Sequence, residues 1–325
     1  MHPSIRLLFI VTGFLILTNP ARVVGSDNAP FFIEGYASQL SVAPGDDIGF
    51  HVSTSAPKFK VEISRAGEKP EVVWQKKDLP GLEHPVPEDA SANGCRWPES
   101  FRIPVAKNWR SGFYLVKFQI EDMGGVWTHR GHRTAESTAW FVVRAAEPGS
   151  RTKILLQLCT NTYNAYNNWG GFSFYAYHGL SKNQGHRVSF DRPGRFQFPT
   201  WEEPFVVWAE HNGYVLDYAV NSDLEFHPEI LYHYRLVLSV GHDEYWSGPM
   251  RDSLETFISK GGNVAFFSGN SVCWQVRSED NGRALTCWKQ NFHSDPIYQT
   301  REFSTLSTLW SHHLVKRPEN QLTGV

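Results

Sequence analysis

Cysteine is scarce in this chain, with four among 325 residues. No two of them form a Cys-x-x-Cys pair, which removes the usual zinc knuckle. Basic residues do not outnumber acidic ones. The formal net charge is −2, so the positive field that nucleic-acid binding needs is missing. There is no internal repeat and no low-complexity tract, which sets aside solenoids and biased linkers. The Gly-x-Ser-x-Gly nucleophile elbow is not met by Ser268, which lies in Phe-Ser-Gly-Asn-Ser. Aromatic residues, in contrast, are plentiful: 12 Trp, 12 Tyr and 22 Phe. Such content suits a β-rich domain or an aromatic-lined pocket. With 41% hydrophobic and 20% charged residues the chain is globular, and it is long enough for two cores.

The first 26 residues read as a secretory signal rather than as fold. Arg6 gives a positive start, Leu7 to Leu17 is apolar, Asn19-Pro20 breaks the run, and Val23-Val24-Gly25-Ser26 ends in small residues suited to cleavage. The apolar run is too short for a membrane span, so the protein is expected to be exported, periplasmic or extracellular, with no span after signal removal. A retained N-terminal anchor is the alternative. In an oxidising place Cys95, Cys159, Cys273 and Cys287 can pair in three ways, and the short separation of Cys273 and Cys287 favours that bridge.

Residues 27–147 are expected to form a β-sandwich. Short runs rich in Val, Ile and Phe (31–34, 48–53, 59–65, 72–75, 113–120 and 138–143) are separated by turns such as Pro44-Gly45-Asp46 and Gly124-Gly125. Ala145 to Ser150 has linker composition. From residue 151 to 325 strands alternate with helices. Strands are expected at 153–158, 187–190, 214–218, 235–240 and 263–268, and helices at 204–212 and 250–260, the latter stopped by Gly261-Gly262. Such alternation implies an open, mostly parallel α/β sheet of the flavodoxin or amidotransferase layout.

Ligands collect outside the carboxyl ends of strands in such sheets. The run Ser239-Val-Gly-His-Asp-Glu-Tyr-Trp-Ser-Gly-Pro-Met250 puts His242, Asp243 and Glu244 at such an end, just before a helix. An exposed acidic turn at the helix N-terminus is the plainer alternative. Two more strand ends are rich in functional side chains, Cys159 to Gly171 and Ser268 to Ser271. Taken singly, Asn/Tyr loops are usually turns and a Tyr is usually a core or rim aromatic; the convergence of three ends favours a site. Cys159 follows a strand as a nucleophile would, but an exported thiol is more often buried or bridged. His129-Arg-Gly-His132 and His312-His313 lack a third ligand, so a solvated role is expected.

The motifs NTYNAYNNWGG, SFDRPG, SVGHDEYWS and FFSGNS, between Leu155 and Arg277, resemble the large (β) subunit family of N,N-dimethylformamidase, and in particular its C-terminal domain. The runs IEGYAS, SVAPGDD and SGFYLVKF fit the β-sandwich of the same family. The resemblance implies a mononuclear ferric iron held by two tyrosines and a glutamate. Carried over, the ligands are Glu244, Tyr163 and, from the first half, Tyr114. His242 and Asn270 match catalytic positions that surround the metal. Hard anionic oxygens suit Fe(III). A small subunit is implied as a partner, with a homo-oligomer as the alternative. The family's further catalytic glutamate would lie past Val325, so the chain is expected to be a fragment or a member without that residue. The leading expectation is an iron-dependent hydrolase of an amide C–N bond in a small molecule. The alternatives are a non-catalytic protein that binds a ligand or carbohydrate, and a metal-free hydrolase using Cys159.

Overall fold

The computed structural model describes residues 31–121, 124–128 and 131–324, and every count below refers to these. The signal-like segment and His129 lie outside them.

The first half is built from β1 (Ile33–Ala37), β2 (Ser41–Val42), β3 (Asp47–Thr54), β4 (Lys58–Arg65), β5 (Glu71–Pro80), β6 (Phe101–Pro104), β7 (Gly112–Gln119), β8 (Gly125–Thr128), β9 (Gly131–Thr134) and β10 (Glu136–Val143), with one short helix, α1 (Ala90–Asn93). β1-β3-β6 form one antiparallel sheet. β2-β10-β7-β4-β5 form a second, antiparallel except where β2 joins β10. Strict alternation sets the faces: in β4, Phe59, Val61 and Ile63 are buried while Lys60 and Glu62 lean outward. The inward residues of both sheets make one core, in which Phe50 of β3 meets Phe118 and Phe141 edge-on at 6.4 and 6.0 Å between ring centres.

The second half contains β11 (Ile154–Leu158), β12 (Arg187–Ser189), β13 (Asp217–Val220), β14 (Leu236–His242), β15 (Tyr245–Ser247), β16 (Asn263–Gly269), β17 (Trp274–Glu279) and β18 (Ala284–Thr286). The helices that matter are α2 (Thr160–Tyr166), α3 (Glu202–His211), α4 (Asn221–Phe226) and α5 (Gly248–Ser259). β13-β11-β14-β16 is wholly parallel. α5 starts where Ser247 accepts a hydrogen bond from the Met250 amide at 3.3 Å, buries Met250, Leu254 and Phe257 along one stripe, and stops at Gly261 in the left-handed region (φ 90°).

A second sheet, β12-β18-β17-β15, is a correction to the sequence-based layout. Residues 187–190 were expected among the parallel strands. β12 instead pairs antiparallel with β18, which pairs antiparallel with β17. The cause is the turn Asp280-Asn281-Gly282, with φ of 51°, 53° and 81°. Asp, Asn and Gly tolerate this conformation, and it reverses the chain tightly enough to make a hairpin. The same hairpin removes the expected Cys273–Cys287 bridge. None of the four cysteines is in a disulfide. β17 and β18 are registered with Arg277 opposite Thr286 and Glu279 opposite Ala284, an alignment that places Cys287 across from Val276, three residues away from Cys273.

The two halves share buried surface. Phe113 of β7 stacks on Phe198 at 3.9 Å between ring centres, and Arg65 pairs with Glu210 at 2.8 Å. Beneath the ends of β11 and β14 lie two buried carboxyls. Glu202, in the first turn of α3, is pushed up to about 7 by burial, and Asp243, just past β14, to about 6 by burial. Both folded values lie above the unfolded ones, so these groups favour the fold most at low pH, and that contribution is lost as pH rises from about 4 through 6 to 7. Glu202 alone accounts for about 3 kcal/mol of such loss. Denaturant midpoints at pH 5 and pH 8 should therefore differ less in Glu202→Gln than in the unaltered protein. An equal difference in both would show that Glu202 is not held protonated.

Candidate active site

α2 begins directly after β11 and carries Tyr163 and Tyr166 three residues apart. Beyond Tyr166 the chain doubles back through Gly170 (φ 83°) and Gly171 (φ 108°). A Cβ on Gly171 would meet the Leu180 side chain at 2.6 Å. This return lays Tyr175 against Tyr166 with 4.3 Å between ring centres. The buried guanidinium of Arg192 clamps the loop. It donates to the carbonyls of Asn167 at 2.9 Å, Phe172 at 3.2 Å and Ser189 at 2.8 Å, to that of Trp169, and to Asn164 Oδ1 at 3.2 Å. Burial with neutral partners pulls Arg192 down to about 9.

β14 ends through Gly241 (φ 93°), where a Cβ would lie 2.4 Å from that of Trp201. From there the acidic pair diverges. Asp243 turns inward and accepts from Ser239 Oγ at 2.8 Å, whereas Glu244 turns toward Tyr166 and Tyr175. Glu244 is 5% exposed. Its carboxylate accepts from Tyr166 OH at 2.9 Å, from Tyr175 OH at 2.9 and 3.0 Å, and from the Trp274 indole N–H at 2.9 Å. The Glu244 amide donates to Thr162 Oγ1 at 3.0 Å, fastening β14 to α2. His242 Nε2 stands 3.3 Å from Glu244 Oε2 and 3.2 Å from Asn270 Nδ2, so this one nitrogen faces both an acceptor and an amide. Asn270 holds left-handed backbone (φ 50°) at the end of β16.

Behind this front lies a layer that sequence reasoning missed. Tyr245 OH donates to Tyr175 Oη at 2.8 Å, and Lys289 Nζ donates to Tyr245 Oη at 3.0 Å. Lys289 Nζ also sits 3.6 Å from the centre of the Tyr175 ring and 4.7 Å from that of Trp274. Burial pulls the Lys289 ammonium down, and the nearby Cys287 and Glu244 oppose it. Burial, then the Glu244 charge, pushes the Tyr175 phenol up. Tyr166 also moves up, chiefly through burial.

Of the residues expected from sequence, the structure brings together Glu244, His242 and Asn270. Tyr163 turns its hydroxyl away to Glu202, with its ring edge-on to Trp140. Tyr114 stays inside the first half, donating to the Arg110 carbonyl at 2.7 Å and stacking on Trp109. The two phenols on the carboxylate are thus Tyr166 and Tyr175, in place of Tyr163 and Tyr114. The pair Tyr163/Tyr166 is separated by less than one helical turn, and sequence does not give the phase that decides which ring faces outward. Tyr175 lies in a loop without periodic pattern, where only the density of tyrosines was a signal. Cys159 is buried, its thiol pushed up by burial and donating to the Val240 carbonyl at 3.2 Å, which leaves it unsuited to nucleophilic attack. Among the described residues no group of three His, Cys, Asp or Glu could hold a metal, His312 and His313 included. The Glu244 site differs in that two of its three oxygen-bearing side chains are phenols.

The sequence family described as N,N-dimethylformamidase beta subunit-like, C-terminal, matches residues 60–325. The N,N-dimethylformamidase beta subunit of Alcaligenes sp is 27% identical over 223 residues, which is 56% of this chain and 28% of that protein. The corresponding subunit of Paracoccus aminophilus is 26% identical over 226 residues, again 56% of this chain and 28% of its own length. The match therefore spans little more than a quarter of each of these relatives. Among solved structures, the sporulation control protein Spo0M of Bacillus subtilis overlaps 38% of this chain at 10% identity with a TM-score of 0.25. With all but its first 59 residues matched, the chain belongs to the N,N-dimethylformamidase beta subunit-like, C-terminal family.

Proposed function

We propose that this chain carries the iron site of a hydrolase that cleaves the C–N bond of a small amide. One observation carries the reading: the buried Glu244 carboxylate is met by two phenol hydroxyls at 2.9 to 3.0 Å, with the phenol oxygens themselves 2.7 Å apart. One carboxylate and two phenols are hard oxygen donors whose summed charge, once ionised, balances a trivalent ion, so the residues present fit ferric iron. Glu244, Tyr166 and Tyr175 would hold it. When bound, the metal supplies Lewis acidity toward an amide carbonyl.

The remaining chemistry falls to the chain's own residues. His242 faces Glu244 and Asn270 through Nε2 and can take up or release a proton there. The Asn270 amide can donate to a carbonyl oxygen and so orient a substrate. Trp274, Tyr175 and Tyr245 wall the site with aromatic surface and exclude water from its inner side. In the same reading the first half is a β-sandwich and the second a flavodoxin-like sheet, the protein is exported by its N-terminal segment, and a small subunit or second copy is the partner, as the relatives' designation as a subunit suggests.

Ferric loading of purified protein followed by metal analysis and visible spectroscopy tests the reading. One iron per chain with a tyrosinate-to-iron absorption band is expected. Glu244→Ala, Tyr166→Phe and Tyr175→Phe should each lose more than the ~100-fold in affinity typical of changing an outer residue. Tyr163→Phe and Tyr114→Phe should keep both metal and band. A colourless protein that takes up no iron would leave a non-catalytic binding role as the better account. A second expectation concerns His242→Ala. It should keep its iron yet release amine from a dialkyl formamide about 10²- to 10⁴-fold more slowly. Unchanged release would remove His242 from the proton transfer.

A further inference from the structure

The hydroxyls behind Glu244 form a chain whose two ends differ in kind. At one end is Lys289, whose ammonium has three protons and no lone pair, so it can only donate. At the other is the Glu244 carboxylate, which can only accept. Between them run Lys289 Nζ to Tyr245 Oη at 3.0 Å, Tyr245 OH to Tyr175 Oη at 2.8 Å, and Tyr175 OH to the two Glu244 oxygens at 3.0 and 2.9 Å. A hydroxyl between two others can point its hydrogen either way. Here the ends remove that freedom. Tyr245 receives from the ammonium and must give to Tyr175, and Tyr175 receives from Tyr245 and must give toward Glu244 and Tyr166. Each bond polarises the next in the same sense.

The backbone around the donor end is built for this. Lys289 is 5% exposed and holds left-handed geometry (φ 55°), a conformation disfavoured for a non-glycine residue. The Lys289 amide donates to the Ser307 carbonyl at 3.0 Å, and its carbonyl accepts from Thr308 Oγ1 at 2.9 Å, so the turn is fixed from outside. The side chain then runs inward between the rings of Tyr175, Trp274 and Tyr245, at 3.6, 4.7 and 5.6 Å from their centres. A surface lysine with a solvated head would need none of this.

We propose that Lys289 and Tyr245 are positioning residues: a fixed positive end directs the Lys289–Tyr245–Tyr175–Glu244 chain and so holds the Tyr175 oxygen and the Glu244 carboxylate in the arrangement that receives a cation. This rests on the iron reading for its purpose, but not for its geometry. The effect toward a ferric ion follows. A hydrogen bond from Tyr245 withdraws electron density from the Tyr175 oxygen, so its loss raises the donor level of that phenolate and moves the charge-transfer band to longer wavelength.

Two readouts separate the chain from the metal. In metal-free protein labelled with 3-fluorotyrosine, the Tyr175 fluorine line is assigned by its disappearance in Tyr175→Phe. Lys289→Met and Tyr245→Phe should each shift or broaden that line, and the double variant should do no more than either alone, because both act on one chain. In ferric-loaded protein the same two variants should bind iron about 10- to 100-fold more weakly and absorb at longer wavelength. Tyr245→Phe keeps the buried charge and the fold should Lys289→Met prove unstable. A Tyr175 line unmoved in both single variants overturns the proposal, whatever the metal does. A moved line in a protein that takes up no iron supports the positioning and removes the iron reading alone.

Discussion

Burying a carboxylate is among the more expensive things a fold can do, and here the whole site is arranged around one. An ionised carboxyl leaves water only if its oxygens are hydrogen-bonded where they arrive. Glu244 is 5% exposed, and three side-chain donors reach it: two phenols and an indole N–H. These donors come from α2, from the Gly-Gly return and from β17, three segments far apart in sequence. Satisfying one anion therefore fixes the relative position of three parts of the chain, and a group that must be satisfied also determines what can stand beside it.

The neighbouring Asp243 shows why this arrangement is stable rather than merely crowded. Two adjacent acids on one strand end would repel if both faced the same cavity. They diverge instead: Asp243 goes inward to Ser239, where burial lifts its carboxyl to about 6, and Glu244 goes outward to the phenols. The opposite-facing period of an extended chain makes the divergence automatic. Arg192 performs the matching task for the loop. Its buried guanidinium is spent on four carbonyls and an amide oxygen, so no carboxylate of the site is drawn toward it. Cation and anion are each satisfied locally, which leaves the Glu244 oxygens oriented by the two phenols and the Trp274 indole N–H.

This division marks how far the sequence could be read. The position of His242, Asp243 and Glu244 at a strand end was legible because an apolar run, a glycine and an amphipathic helix follow one another without interruption, and Asn270 was legible as the polar end of the apolar run that became β16 and through the family resemblance. The tyrosines were not. Tyr163 and Tyr166 have equal claims on a short helix, and packing of Tyr163 toward Glu202 decides between them, a contact across 39 residues. Tyr175 and Lys289 arrive through tertiary routes, a left-handed glycine pair and a left-handed lysine, that leave no periodic trace. The mixed sheet β12-β18-β17-β15 escaped for a related reason. Its strands are three to six residues long, and in β17 the run Arg277-Ser278-Glu279 is polar enough to read as loop. Edge and hairpin strands are specified by turn chemistry more than by hydrophobicity.

The donor set also bears on which cation the proposed site would prefer. Sulfur is close by, since Cys273 feels the Glu244 charge, yet burial first, then Glu244, pushes that thiol up to about 12. A protonated thiol is a poor ligand, and soft or borderline ions such as Cu(I) and zinc commonly rely on thiolate. The single imidazole, His242, is engaged by Glu244 and Asn270 through Nε2. What remains facing the carboxylate is phenol oxygen, hard and anionic once ionised. A phenol lifted by burial gives up its proton only to a strongly polarising cation, because the gain at the metal must exceed what desolvation took away. The higher the charge on the cation, the larger that gain. The same burial that makes Tyr166 and Tyr175 reluctant acids thus acts as a filter for high charge, and in the proposed reading it is the fold, through Glu244 and its phenols, that selects a trivalent ion.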